Sequence, residues 1–159
     1  MKKEKLSIIV PVFNEEKTIR EILSRLLKAK LPVEKEIIVV NDGSTDRSLE
    51  IIREFAKKRG EILVISKKNG GKGSAVITGM KNSTGSIMIV QDADLEYNPE
   101  EIESVIMPIL EEKAKVVFGS RFKGKIIGKK ILSHYIGNKV LSLATAILFF
   151  HRISDMETC

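Results

Sequence analysis

The chain has 159 residues, of which 43% are hydrophobic and 30% are charged, so it suits one globular domain and is not intrinsically disordered. The only cysteine, Cys159, excludes an intramolecular disulfide and a cysteine-built zinc site, and two histidines exclude a histidine-rich metal site. The formal net charge of +6 is uneven. Residues 1–114 hold 19 basic and 19 acidic residues, whereas residues 115–154 hold eight basic residues and no acidic one. This basic stretch either attracts phosphates and anionic lipid or is a solvated face.

Short apolar runs rich in β-branched residues alternate along the chain with segments of helical periodicity. In chain order they predict strand 7–12, helix 16–30, strand 36–40, helix 44–59, strand 61–66, helix 73–82, strand 86–91, helix 98–112 and strand 115–118. This alternation predicts a Rossmann-like α/β sandwich, with a mostly parallel sheet and helices on both faces. Residues 1–122 form the predicted core, and residues 123–159 a basic and apolar helical appendage of the same domain.

Ligands bind open α/β sheets beyond the carboxyl ends of the strands, and polar residues follow each predicted strand there. They are Phe13-Asn14-Glu15, Asn41 to Asp46, Asn69 to Gly73, Asp92-Ala93-Asp94 and Gly119-Ser120-Arg121. Two phosphate motifs fail, because Gly73 stands where a Walker A motif needs Ser or Thr, and Val76 where the dinucleotide fingerprint needs Gly or Ala. An ATPase or a standard NAD enzyme is therefore not expected.

Asp92 and Asp94 lie two residues apart after a buried strand and can share a hard cation such as Mg²⁺ or Mn²⁺. Glu96 follows at the same spacing and can complete the site. The alternative is that these carboxylates only solvate a turn.

Of four further candidate residues, all but Asp46 have two possible interpretations. Asp42 can bind a base or ribose, or form an Asx-turn while Ser44 caps the next helix. We interpret Asp46, in the first turn of that helix, as structural. Lys72 either binds phosphate or is an exposed loop lysine. Arg121 either makes a bidentate phosphate contact or belongs to the basic stretch.

Taken together, five motifs resemble glycosyltransferase family 2, and within it the dolichyl- or polyprenyl-phosphate mannosyl and glucosyl synthases. The motifs are Pro11-Val12-Phe13-Asn14-Glu15-Glu16, Val40-Asn41-Asp42-Gly43-Ser44-Thr45-Asp46, Asn69-Gly70-Gly71-Lys72-Gly73, Gln91-Asp92-Ala93-Asp94-Leu95 and Gly119-Ser120-Arg121-Phe122. They occur in register over essentially the whole chain.

The resemblance implies a GT-A fold and transfer, with inversion, of mannose or glucose from a GDP- or UDP-sugar to a dolichyl or polyprenyl phosphate. It implies Mg²⁺ or Mn²⁺ on Asp92, Asp94 and Glu96, and catalytic roles for Asp155 and Arg121. The nucleotide-sugar site it implies consists of Pro11, Phe13, Glu15, Val40, Asp42, Lys72, Asp92, Ala93, Asp94 and Arg121.

The acceptor determines the expected role of Asp155. A lipid phosphate is largely ionised near neutral pH, since its second pKa is about 6, so Asp155 need only orient the acceptor or sugar. A polysaccharide or other hydroxyl acceptor instead needs Asp155 as a general base. In the family that the chain resembles, relatives continue beyond the position of Cys159, which implies either a C-terminally truncated chain or a short natural product. A nucleotide-sugar-binding fragment without activity is a further alternative.

A basic segment precedes the apolar residues of 131–150, a combination that suits a helix lying in the membrane interface. The alternatives are an ordinary core helix or the interface of a homo-oligomer. The longest apolar run, 140–150, is shorter than the roughly 20 residues that span a bilayer. We therefore expect a cytoplasmic protein, peripheral on the membrane. Nucleic acid is not an expected partner, because the basic stretch carries an apolar helix rather than interleaved aromatic residues.

Overall fold

The fold is built on a parallel sheet of four strands. A computed structural model describes residues 4–119. Its strands are β1 (Lys5–Val12), β2 (Glu34–Asp42), β3 (Ile62–Lys67) and β4 (Ile87–Val90), in the order β3-β2-β1-β4. Its helices are α1 (Ile19–Lys28), α2 (Ser48–Ala56), α3 (Lys72–Lys81) and α4 (Ile102–Leu110), with a 3₁₀ turn at Pro99–Glu101 before α4. The predicted α/β fold with a parallel sheet is confirmed.

The two central strands are buried on both faces, which explains why their sequences are continuous apolar runs rather than alternating ones. Strands β1, β2 and β3 follow one another across the sheet, so right-handed crossovers place α1 and α2 on one face. The chain then returns across the sheet to β4, so α3 lies on the other face, against β1 and β2. A Cβ on Gly79 of α3 would lie only 2.4 Å from Cγ2 of Ile9, so this glycine permits the close packing of α3 on β1.

Two predicted elements differ in the structure. Residues 115–118 form no strand, and Val116 and Phe118 are largely exposed. The three apolar residues after Lys115 do not supply the neighbouring strand that their backbone needs, so the prediction of a fifth strand there is wrong. The second helix begins at Ser48 rather than at Ser44. The start of the last helix is as predicted: Asn98 Oδ1 accepts from the Glu100 backbone N–H, and Pro99 follows the cap.

The chain divides into two compact units, residues 1–106 and 107–159, and the whole sheet lies in the first. In the described part of the second unit, the backbone N–H groups of Lys113 and Ala114 donate to the Pro108 carbonyl after the end of α4. Within residues 4–119, no helix has the length and apolarity to cross a bilayer. The predicted apolar helix within 131–150 lies outside the described residues.

The Glu36 carboxylate connects several segments near the amino-terminal edge of the sheet by hydrogen bonds. Its carboxylate accepts from Lys5 Nζ at 2.6 Å, Ser7 Oγ at 2.6 Å, and the backbone N–H and hydroxyl of Thr84 at 2.7 and 2.8 Å. Ser7 Oγ in turn accepts from the Gly85 N–H at 2.9 Å. Burial alone would raise the pKa of Glu36, but these hydrogen bonds to the charged form lower it to about 2. One carboxylate thus ties β1, β2 and the turn before β4 together.

We expect Glu36→Gln to lower the free energy of unfolding by about 2 kcal/mol at pH 7, because the amide cannot replace a carboxylate that accepts four hydrogen bonds. The folded pKa lies below the unfolded value of about 4.5, so the stabilisation is complete above pH 4.5 and is lost as the pH falls towards 2. Urea unfolding at pH 7, 4.5 and 3 measures this. The control is Glu103→Gln on the exposed side of α4. Equal stability of Glu36→Gln and wild type at pH 7 would contradict the role of Glu36.

Candidate active site

An open cavity of about 300 Å³ lies at the carboxyl edge of the sheet. Strand order explains its position: β1 connects to β2 on one side, while β4 flanks β1 on the other, and ligands bind α/β sheets where the order reverses in this way. The cavity-lining residues are Pro11, Val12, Phe13, Glu15, Asp42, Asn69, Gly71, Lys72, Ala75, Asp92, Ala93 and Asp94. All the predicted nucleotide-sugar residues among residues 4–119 line it except Val40.

Val40 supports the cavity from below. It is completely buried and clusters with Ile38 and Ala75, and Ala75 lines the cavity. Val40 therefore does not line the cavity itself, but it packs with Ala75, which does. Arg121 and Asp155, the predicted catalytic residues, lie outside the described residues.

The loop after β1 and the loop after β2 are hydrogen-bonded to each other, and we call them the paired loops (residues 13–16 and 43–48). Side chains of each loop bind backbone N–H groups of the other. The bonds run from Asn14 N to Ser44 Oγ (3.1 Å), Thr45 N to Asn14 Oδ1 (2.8 Å), Glu15 N to Ser48 Oγ (2.7 Å), Glu16 N to Asp46 Oδ2 (3.1 Å) and Arg47 N to Glu16 Oε2 (3.1 Å). These polar residues fix the positions of the cavity walls.

The paired loops also explain why α2 starts late. Ser44 does not cap the helix, because its hydroxyl binds Asn14. Asp46 binds the first turn of the helix instead, because its Oδ1 accepts a hydrogen bond from the Ser48 backbone N–H at 2.9 Å. Burial would raise the pKa of Asp46, but hydrogen bonds from Ser48 and Glu16 lower it. Asp46 is thus structural, as we interpreted it from the sequence.

Asp42 forms a buried ion pair with Lys67 that the sequence did not reveal. Asp42 is 2% exposed, and its Oδ1 accepts from Lys67 Nζ at 2.5 Å. The Gly70 backbone N–H donates to both carboxylate oxygens at 3.1 Å, so Asp42 does not form the alternative Asx-turn. Burial would raise the pKa of Asp42, but Lys67 and Gly70 lower it, which keeps the carboxylate ionised. Only strand register, which pairs Asp42 with Lys67 at the ends of β2 and β3, could have indicated Lys67.

A glycine allows the loops after β2 and β3 to meet at Asp42. Gly43 has φ +74°, and a Cβ there would lie 2.7 Å from the Asn69 backbone nitrogen. Any side chain at position 43 would therefore be strained and would push the Asn69–Gly70 segment away from Asp42.

Lys72 and Asp92 both line the cavity and form an ion pair with each other. Lys72 Nζ lies 2.7 Å from Asp92 Oδ1 and 2.8 Å from Oδ2, so one ammonium group contacts both oxygens. Lys72 is the first residue of α3 and follows Gly71, whose φ is +83°. The interpretation of Lys72 as an exposed loop lysine is therefore incomplete, because this side chain already pairs with a carboxylate of the site.

The loop after β4 that carries Asp92 and Asp94 is held from within by Gln91. This side chain is buried, and its Nε2 donates to the carbonyls of Asp92 at 3.2 Å and Tyr97 at 3.1 Å. Inside the loop, Asp94 Oδ1 accepts from the Glu96 N–H at 3.0 Å. Where the loop ends, Arg25 of α1 binds Glu100 at 2.7 Å. These contacts fix the conformation of the turn that carries Asp92 and Asp94.

The predicted three-carboxylate metal site is not assembled. Within residues 4–119, no three acidic, histidine or cysteine side chains come close enough to hold a metal ion together. Asp92 and Asp94 line the cavity, but Glu96 does not. Two carboxylates nevertheless fit Mg²⁺ or Mn²⁺, because such ions are commonly held by one or two carboxylates together with the phosphate oxygens of a substrate.

Comparison with known proteins agrees with this geometry. The model of the family described as glycosyl transferase family 2 matches residues 7–155. The chain belongs to glycosyl transferase family 2. Its fold is therefore of the GT-A type, as the five motifs implied.

Three relatives illustrate the family. The dolichol-phosphate mannosyltransferase of Pyrococcus furiosus is 36% identical over 118 residues, which are 74% of this chain and 33% of that protein. The crystal structure of S. aureus TarS with UDP-GlcNAc has a TM-score of 0.60 and 30% identity over 76% of this chain and 38% of that one. The mannosyltransferase PcManGT from Pyrobaculum calidifontis, in complex with GDP-Man and Mn²⁺, has a TM-score of 0.57 and 26% identity over 62% of this chain and 30% of that one.

The chain spans only part of the length of the curated relatives that it matches. It spans about a third of the length of two of the first curated relatives and 63% of another.

We expect Lys67→Met to lower the free energy of unfolding by about 3 kcal/mol, because it leaves the Asp42 carboxylate buried without its cation. In the double variant Asp42→Asn/Lys67→Met the carboxylate charge is removed as well, so most of the lost free energy of unfolding should be recovered. A double-mutant cycle measured by urea unfolding tests the pair. Additive losses in the double variant would contradict an ion pair between these residues.

Proposed function

We propose that this chain forms the donor-binding part of a metal-dependent, inverting glycosyltransferase that moves a hexose, mannose or glucose, from a GDP- or UDP-sugar to a dolichyl or polyprenyl phosphate. The cavity at the carboxyl edge of the sheet carries this proposal. It gathers the buried carboxylate at the end of β2, the lysine at the start of α3 and the two carboxylates of the loop after β4 around a volume of about 300 Å³. A nucleoside diphosphate needs polar groups at both of its ends, and the cavity offers them.

The nucleoside end of the donor fits the side of the cavity formed by the paired loops and Asp42. Phe13 is half exposed and offers a flat apolar surface to a base, beside Pro11. Asp42 is ionised and therefore accepts hydrogen bonds only, so it suits an N–H group of a base or a ribose hydroxyl. Uracil and guanine both carry a ring N–H, so this chemistry is compatible with either donor.

The diphosphate end fits the opposite side, where Lys72 and the two carboxylates of the β4 loop lie. Lys72 supplies positive charge at the start of α3, and no acidic residue occurs in the first turn of that helix. Asp92 and Asp94 would hold Mg²⁺ or Mn²⁺, which when bound neutralises charge on the departing nucleotide. The complex of PcManGT with GDP-Man and Mn²⁺ supports this assignment. Glu96 is better assigned to the loop than to the metal.

The acceptor assignment rests on relatives and on charge. One relative is named a dolichol-phosphate mannosyltransferase and another an undecaprenyl-phosphate 4-deoxy-4-formamido-L-arabinose transferase. The basic excess of residues 115–154 suits an anionic lipid headgroup and a peripheral position on a membrane. We assign Arg121 to the leaving phosphates and Asp155 to orientation of the acceptor or sugar.

We expect Asp94→Ala to weaken the binding of GDP or UDP in the presence of Mn²⁺ by at least about tenfold, and to leave binding without Mn²⁺ unchanged. Asp94 is exposed, so the fold should be retained. Calorimetric titration of each nucleotide with and without Mn²⁺ measures both effects. Glu103→Ala removes the same charge from α4 and serves as the control. Equal Mn²⁺ dependence in Asp94→Ala and wild type would contradict the metal role of Asp94.

The variant Asp155→Asn distinguishes the acceptors. With a polyprenyl phosphate, transfer should fall by less than about tenfold, because the phosphate is already ionised near neutral pH. With a hydroxyl acceptor, loss of a general base should lower the rate by about 10²- to 10⁴-fold. Initial rates of sugar transfer to polyprenyl phosphate and to the corresponding alcohol test this. A loss of the larger size with the phosphate would contradict the proposed acceptor chemistry.

A further inference from the structure

We propose that Lys72 occupies the place of the metal ion on Asp92 while the cavity is empty, and that it exchanges Asp92 for the diphosphate when metal and nucleotide bind. This inference rests on the proposed function and deepens it. It makes Lys72 the residue that couples the two ligands, so that the metal ion binds tightly together with the nucleotide rather than ahead of it.

The ion pair between Lys72 and Asp92 involves both carboxylate oxygens. The Lys72 ammonium contacts both oxygens of the Asp92 carboxylate, at 2.7 and 2.8 Å. The Asp92 side chain is 16% exposed, so its oxygens are accessible mainly from the cavity that it lines. A divalent cation on Asp92 needs the same oxygen atoms.

Electrostatics makes the two cations compete. An ammonium group and a divalent ion on one carboxylate would lie a few ångströms apart, where like charges repel strongly in a partly desolvated site. Metal binding at Asp92 therefore requires Lys72 to withdraw. In the empty site this withdrawal costs the ion pair with Asp92, and no phosphate is present to replace that carboxylate.

The position of Lys72 lets it withdraw towards the ligand. The backbone of Lys72 is fixed at the start of α3, and α3 is packed closely on β1 at Gly79. The Lys72 side chain itself is 57% exposed, so more than half of it is in contact with solvent. A diphosphate in the cavity supplies new negative charge beside it, and the ammonium then gains a partner as it leaves Asp92.

These steps predict effects of opposite sign for Lys72→Met, which keeps the length of the side chain and removes its charge. Binding of Mn²⁺ to the nucleotide-free chain should become stronger, because the Lys72 ammonium no longer competes for Asp92. Binding of GDP or UDP in the presence of Mn²⁺ should become weaker, because the diphosphate loses a cation. A purely phosphate-binding lysine would change only the second affinity, and a purely structural one would not strengthen either.

The test is a Mn²⁺ titration of the nucleotide-free 159-residue chain, with free Mn²⁺ measured by electron paramagnetic resonance. We expect Lys72→Met to bind Mn²⁺ about 3- to 10-fold more tightly than wild type. The matched control is Lys81→Met, which removes the same charge at the other end of α3. Calorimetry with GDP and UDP in saturating Mn²⁺ should then show weaker binding to Lys72→Met, by about 5-fold or more. Circular dichroism of each variant verifies that it is folded.

The outcomes separate this inference from the proposed function. Unchanged or weaker Mn²⁺ binding in Lys72→Met overturns the inference, and so does the absence of Mn²⁺ binding in both wild type and the variant. If wild type still shows Mn²⁺-dependent binding of GDP or UDP in either case, the proposed function stands. If the folded wild type binds neither nucleotide under any condition, the proposed donor site itself is wrong.

Discussion

The hydrogen bonds between the paired loops are the constraint on which the site depends. Parallel strands bring their carboxyl ends to one edge of the sheet, but the loops that follow them have no regular partners there. Here Asn14, Ser44 and Ser48 bind backbone N–H groups of the opposite loop, so each loop serves as the scaffold of the other. Several motif residues that suggest chemistry in the sequence are in fact the framework that positions Phe13 and Asp42.

Charge in the cavity is organised in pairs. Asp42 lies against Lys67, and Asp92 lies against Lys72. The first pair is mostly buried, with Lys67 23% exposed, and it holds a carboxylate in one orientation. The second pair is more exposed and can dissociate. The same kind of interaction therefore makes one side of the cavity rigid and leaves the other side able to respond to a ligand.

The sequence predicted the sheet and the polar edge where the cavity lies, because both follow from local patterns. Continuous apolar runs identified β1 to β4, and the residues after each run identified the cavity walls. Lys67 was missed, since its role depends on register between β2 and β3, which no local pattern records. The late start of α2 was missed for a related reason: Ser44 has the chemistry of a cap, but a distant residue, Asn14, takes its hydroxyl. The strand expected at 115–118 shows the same limit, because composition does not provide a hydrogen-bonding neighbour.

The carboxylate of Glu36 lies at the opposite end of the sheet from the cavity. Glu36 pairs with Ser7, and the five residue steps from Ser7 to the cavity-lining Val12 span roughly 17 Å, at about 3.3 Å per residue. Within residues 4–119, the polar cluster around Glu36 thus makes no hydrogen bond to a residue that lines the cavity. The loops at the carboxyl edge are consequently suitable for redesign: side chains or whole loop segments can be exchanged there to change what the cavity binds, while the far edge continues to hold the strands together.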